Sequence, residues 1–171
     1  TAICEGEHTT LYVDQDGWQG NVTYQWDAQA GNSTAATVDV APDTTTTYHV
    51  TATVTNNNGS CTANGEVTIV VTKRPDTVVV TATETTICEG NQITFNAAPA
   101  DAYGYIWYQN GVEIPGENQA TLTVNFNEAG NYSFAAKALN DQNCESAEAS
   151  APVAVVVTPA PGEVTIAGIN V

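Results

Sequence analysis

The clearest pattern along the chain is strict alternation of apolar and polar positions. Tyr48-His49-Val50-Thr51-Ala52-Thr53-Val54-Thr55 places Tyr, Val, Ala and Val on one face and His and Thr on the other, as a strand buried on one side requires. Tyr132-Ser133-Phe134-Ala135-Ala136-Lys137-Ala138 repeats the pattern. Shorter runs predict further strands at Leu11-Tyr12-Val13, Val67 to Thr72, Ile93-Thr94-Phe95, Leu122 to Phe126 and Val153 to Val157. Asn110-Gly111, directly after Trp107-Tyr108-Gln109, predicts a tight hairpin, because both residues tolerate the positive φ that such a turn demands. No stretch of ten residues carries an apolar stripe of helical period, and Thr, Val, Ala and Asn dominate. The chain is therefore expected to be all-β, with helix limited to single turns.

The strands fall into two copies of one unit. Ile3-Cys4-Glu5-Gly6 returns as Ile87-Cys88-Glu89-Gly90, 84 residues later. Onward from there, Tyr24-Gln25-Trp26 aligns with Tyr105-Ile106-Trp107, Tyr48 with Tyr132, Cys61 with Cys144, and Val70-Val71-Thr72 with Val156-Val157-Thr158. Lys73-Arg74-Pro75-Asp76 and Pro159-Ala160-Pro161-Gly162 read as short, stiff linkers. The expected organisation is a first domain over 1–73, a second over 76–158, and a segment 159–171 made of a linker and one strand. About seven short strands per copy, turn signals every 8 to 12 residues or so and one central Trp each are the pattern of two tandem immunoglobulin-like β-sandwich domains.

The cysteines depart from the antibody-type arrangement, in which the pair sits mid-strand and pins the two sheets together. Cys4 precedes Trp26 by 22 residues and Cys88 precedes Trp107 by 19, so both are expected in the turn before strand B. Cys61 and Cys144 fall well past the Tyr-led strand and are expected in the F–G loop. Those two ends of a sandwich lie roughly 20 Å or more apart, whereas a disulfide needs Cα atoms within about 7 Å. Bonding inside a domain is thus disfavoured. In a head-to-tail pair the two ends meet, which leads to the expectation that Cys4 bonds Cys144 and that Cys88 and Cys61 are left for neighbours outside the chain. Pairing within each copy remains the alternative.

Charge narrows the partners. Nineteen acidic residues stand against three basic ones, for a formal charge of −16. Such a chain has no stripe with which to neutralise nucleic-acid phosphates or anionic lipid. Direct membrane insertion is not expected either, since no run of 18 apolar residues occurs. With no Met and no signal-like segment, the chain reads as a slice of a longer processed protein.

Chemistry is sparse. There are two histidines, His8 at a strand start and His49 on an outward face, and no phosphate loop, HExxH or CxxC; no catalytic residues, cofactor or metal are expected. Asp14-Gln15-Asp16-Gly17 starts like a calcium loop, but the twelfth position holds Gln25 in place of Glu, so an acidic turn is the better reading. Trp18 is a candidate contact for a sugar, weighed against simple packing. Asn21, Asn32, Asn58 and Asn131 lie in N-glycosylation sequons.

Copy two opens with an apparent A strand, Thr77 to Thr83, which copy one lacks, while Pro161 to Val171 resembles the start of a third unit. Either the chain is one period of a tandem array, or its last strand completes the sheet of a neighbouring subunit; an arbitrary boundary would look the same.

Ile-Cys-Glu-Gly, Tyr-x-Trp, a Tyr-led strand and a late Gly-Ser-Cys or Asn-x-Cys resemble the Ig-like and PKD-like repeats of large surface and secreted proteins of the Bacteroidota. The resemblance implies an extracellular or cell-surface stalk, adhesin or filament, whose partners are copies of itself or further Ig-like repeats. It also implies O-glycosylation at Thr44 and Thr77, each preceded by Asp. The function expected is a structural repeat unit. The alternative is an adhesive or carbohydrate-binding module appended to a larger surface protein or enzyme.

Overall fold

The computed structural model describes residues 1–99 and 102–162. The chain divides into two compact units, Thr1–Lys73 and Arg74–Val171, and each is an immunoglobulin-like sandwich. The expected strand at 163–171 lies outside the described residues.

Unit 1 contains β1 (Ala2–Cys4), β2 (Thr9–Tyr12), β3 (Asn21–Trp26), β4 (Thr37–Val40), β5 (Thr46–Asn56) and β6 (Gly59–Thr72), with a 3-10 turn at Ala28–Ala30. One sheet has the order β1-β6-β5-β3 and the other is the pair β2-β4. β5 and β6 form a long hairpin closed at Asn56↔Gly59. Its turn is set locally: Asn56 Oδ1 accepts from the Asn58 N–H at 2.9 Å, and Gly59 takes φ 134, which suits a residue without Cβ. The buried core is Leu11, Trp26, Ala30, Val40, Tyr48 and Ile69. Trp26 fixes its orientation by donating Nε1–H to Ala35 O at 2.9 Å.

Unit 2 contains β7 (Val79–Ala82), β8 (Thr86–Cys88), β9 (Gln92–Ala98), β10 (Gly104–Gln109), β11 (Val112–Glu113), β12 (Thr121–Asn125), β13 (Gly130–Leu139) and β14 (Val153–Thr158). Its sheets are β11-β10-β13-β14-β8 and β12-β9-β7. Asn110 and Gly111 adopt φ 52 and 79 at the β10–β11 turn, the positive values expected of Asn-Gly in a hairpin. The core is larger: Phe95 stacks on Phe134 at 4.2 Å, and Phe126 meets Phe134 edge-on at 5.9 Å. Trp107 donates to Gln119 O at 2.9 Å, as its counterpart does in unit 1.

The ladders correct the sequence alignment at one strand. Ile3 lies opposite Val71 and Ile87 opposite Val157, both in parallel pairs, which equates β6 with β14 at a shift of 86 residues. Across the next ladder Tyr48 faces Val67, whereas the residue facing Val153 is Phe134. Trp26↔Val50 and Trp107↔Ala136 give the same shift. The counterpart of Tyr48 is therefore Phe134. Tyr132 instead sends its hydroxyl to Glu128 O at 3.0 Å, a tyrosine-corner contact at the start of the strand.

Three cysteine placements are corrected as well. Cys4 and Cys88 end short strands parallel to the last strand of their units, opposite Thr72 and Thr158; they are not in turns. Cys61 sits within β6 opposite Val54, because the hairpin of unit 1 has no long loop. Cys144 does lie in a loop, 140–152, which also takes over the ladder of β13. There Ser146 and Ser150, both buried, donate their backbone N–H groups to Ala138 O and Ala136 O at 2.8 Å. Their hydroxyls accept from the N–H groups of the same two alanines.

Candidate functional site

Two features depart from a closed sandwich, one in the cysteines and one in the smaller sheet of unit 1. Cys4 and Cys144 are disulfide-bonded, whereas Cys61 and Cys88 are exposed free thiols. Bonding of Cys4 to Cys61 is excluded by geometry. Cys4 lies opposite Thr72, eleven residues along β6 from Cys61, or about 36 Å at strand rise, against the 7 Å or so that a disulfide spans. Cys144 is almost fully buried in a loop tied by Asn140, whose Oδ1 accepts from the Cys144 N–H at 2.9 Å.

The second feature is in the smaller sheets: that of unit 2 has a third strand, β7, which has no counterpart among the described residues of unit 1. In unit 2, β7 pairs antiparallel with β9, Val80 opposite Ala97 and Ala82 opposite Phe95. Its Val80, with Val78 just ahead of the strand, is buried in the core, where β7 also touches β13 and β14. The strand equivalent to β9 is β2. Val13 N–H donates to Ala36 O just as Ala97 N–H donates to Ala120 O, a shift of 84 residues at both ends. Among the described residues β2 pairs only with β4.

Alternation along an antiparallel ladder then assigns each backbone group. The N–H of Val13 points to β4, so those of Tyr12 and Thr10 point to the open side. Beside that edge is a groove of about 210 Å³, floored by Trp26, Tyr48, Val50 and Val67 and walled by Val13. The floor residues are the counterparts of Trp107, Phe134, Ala136 and Val153, all of which belong to or pack on the core that takes in Val78 and Val80. Tyr12 at the rim of the groove is 74% exposed.

The remaining residues singled out from sequence are scattered. Thr44, Thr77, Asn21, Asn32, Asn58 and Asn131 are all exposed, Trp18 is half-buried, and His8 is exposed. Asp14 and Asp16 form an acidic turn in which Asp14 Oδ1 accepts the Asp16 N–H at 3.1 Å. Among the described residues no group of three or more His, Cys, Asp or Glu is placed to hold a metal ion. Among the described residues no helix is long and apolar enough to cross a membrane.

Sequence reasoning missed Asp27. Its Oδ2 accepts from the His49 backbone N–H at 2.7 Å and contacts His49 Nδ1 at 3.1 Å, while Oδ1 accepts from Ala30 N–H at 3.2 Å. Desolvation pushes this carboxyl upward, but the hydrogen bonds from His49 and Ala30 favour the charged form and hold it below its ordinary value. His49 Nε2 in turn lies 3.4 Å from Glu66. The signal was an Asp directly ahead of a 3-10 turn, a capping position.

Residues 75–159 match the family described as Ig-like domain CHU_C associated, and residues 3–69 match the PKD domain family. No curated protein matches the chain. Among solved structures it is similar to the fibronectin(III)-like modules of Clostridium thermocellum CbhA, with 14% identity, 98% of this chain and 94% of that chain covered, and a TM-score of 0.51. It is also similar to a chain of the mouse coronavirus receptor-binding domain complexed with its murine receptor, with 15% identity, 92% and 96% covered, and a TM-score of 0.50. At such identities the likeness extends to the fold.

Proposed function

We propose that the chain is a structural repeat unit of an extracellular assembly, a filament, stalk or large surface adhesin, whose partners are copies of itself or further Ig-like repeats. The observation that carries this reading is the state of the cysteines. Cys4 and Cys88 occupy the same register position in their units, yet one is disulfide-bonded and the other is an exposed free thiol, as is Cys61. A disulfide linkage from one repeat to the next would use the two remaining thiols, Cys88 and Cys61. Free exposed thiols of this kind suit an oxidising, extracellular setting only as sites awaiting a partner. The charge of −16 keeps unassembled chains apart and soluble. In this reading the chain carries no catalytic centre, and Thr44 and Thr77, both exposed, are modification sites.

Non-reducing peptide mapping of native material tests it. The expected result is a Cys4–Cys144 peptide together with a Cys61–Cys88 peptide whose halves come from different repeats. Cys61 and Cys88 recovered wholly as free thiols in assembled material would contradict the linkage.

A further inference from the structure

Unit 1 holds a second hollow, of about 440 Å³, within the size range of small-ligand pockets. Every residue that lines it falls between Gln29 and Tyr48, on the 3-10 turn, the end of β4 and the start of β5. Its floor is buried: Ala30, Val40, Pro42 and Tyr48. Its rim is exposed and polar, with Gln29, Asp39 and Asp43. We infer that this hollow binds the guanidinium of an arginine side chain presented by a basic partner protein. The inference goes beyond the repeat-unit reading and does not depend on it.

Charge carries the first half of the argument. Two carboxylates and no basic side chain line the hollow. Asp39 engages one oxygen with the Thr10 hydroxyl and keeps the other, while the Asp43 carboxylate has no partner among the described residues. The second half is an orphan on the floor. Tyr48 is 2% exposed, yet among the described residues its hydroxyl has no hydrogen-bond partner. That hydroxyl is the one polar side-chain atom on an otherwise apolar floor, where an unpaired polar group costs stability until something bonds it. Burial and the nearby negative charge of Asp27 raise it above its ordinary value. It therefore stays neutral, in a field that favours a cation.

Neither group is required by the sandwich. Thr10↔Asp39 in unit 1 and Thr94↔Thr123 in unit 2 are equivalent pairs, and Tyr48 corresponds to Phe134. Unit 2 thus has a neutral hydroxyl in place of the carboxylate and no hydroxyl on the aromatic. Clustered acceptors call for a ligand rich in donors. A guanidinium presents five N–H groups in a fixed plane, enough for both carboxylates and the Tyr48 hydroxyl, and its aliphatic stem suits Val40 and Pro42. A sugar would lack an exposed aromatic face to stack on, and two carboxylates fall short of the oxygen ligands that calcium takes.

NMR titration of the full-length chain with Nα-acetyl-arginine methylamide tests the inference, with the lysine analogue and the uncharged citrulline analogue as comparisons. Saturable shifts are expected at the amides of residues 29–31 and 39–48, with a Kd on the order of 1 mM for a single side chain. The lysine analogue should bind more weakly and the citrulline analogue not at all. Asp43→Asn should weaken binding about tenfold and Tyr48→Phe about fivefold. Both variants should keep the fold, which the same spectra report, because Asp43 is exposed and Phe stands at the equivalent position of unit 2. Shifts that do not saturate or that spread over the whole acidic surface, citrulline binding as well as arginine, lysine binding as tightly, or both variants binding like the parent chain would each overturn the inference. The Cys61–Cys88 peptide tests the repeat-unit reading separately, and neither result bears on the other.

Discussion

The two units build the same sandwich around the same Trp, and among the described residues β7 and β11 of unit 2 have no counterpart in unit 1. Unit 2 adds β7 to its smaller sheet and has a continuous core cluster of fifteen buried residues; the smaller sheet of unit 1 is the pair β2-β4, and its core cluster has six. The larger sheets agree in register at every shared ladder, so the difference does not arise from a different fold. It arises because one apolar segment of period two, with Val78 and Val80 facing inward, both extends the core and caps the edge of β9. Among the described residues of unit 1 no strand lies beside the free edge of β2, and the same side-chain positions line a groove.

The largest effect expected from this comparison is at the central aromatic of the F strand. Phe134→Ala should destabilise unit 2 by about 3–5 kcal/mol. Tyr48→Ala, at the same register position in the smaller core, should cost about 1–2 kcal/mol less, because Phe134 also has ring contacts with Phe95 and Phe126. Denaturant unfolding followed by the fluorescence of Trp26 and Trp107 in separate single-Trp backgrounds resolves the two units; equal losses would break the comparison. A smaller effect comes from making unit 2 resemble unit 1. Val80→Ala should lower its stability by about 2 kcal/mol and speed hydrogen exchange along β9, with no change in unit 1.

The smallest effect lies at Asp27. Asp27→Asn should cost unit 1 about 1 kcal/mol by weakening the cap and the bond to His49. The sign of its pH dependence follows from the depressed carboxyl. Stability from this group is fully present above the unfolded value near 3.9 and is lost as pH falls through the lower folded value. Unfolding measured between roughly pH 5 and 2 should show this acid-dependent loss in the parent chain and a shallower one in Asp27→Asn. Identical profiles would mean that the His49 and Ala30 contacts do not hold the charge.

Much of the fold was legible in the sequence, for a physical reason: period-two alternation is imposed by the pleat itself. Trp26 and Trp107 were readable as core, and Asn110-Gly111 as the turn. What failed was the pairing of Tyr48 with Tyr132. Two similar rings attracted the alignment, although counting back from Val71 and Val157 puts Tyr48 with Phe134. The strands of Cys4 and Cys88 are three residues long, too short to alternate visibly. Cys61 was misplaced because the length of the F–G hairpin depends on whether the returning chain pairs at once, as in unit 1, or first loops through Ser146 and Ser150. The groove beside β2 could not be read from the sequence, because its walls come from four strands far apart in the chain. Asp27 was overlooked because a single carboxylate shows no motif.

Amide hydrogen exchange by NMR on the dilute, monomeric chain tests the central claim most directly, through the N–H groups of Thr10 and Tyr12 and their counterparts Thr94 and Asn96. The pairing of β2 with β4 alone among the described residues, against β9 held between β12 and β7, predicts fast exchange at Thr10 and Tyr12 beside protected Thr94 and Asn96. Equal protection at the four sites in the monomer would show that the edge of unit 1 is already closed, and would contradict the account.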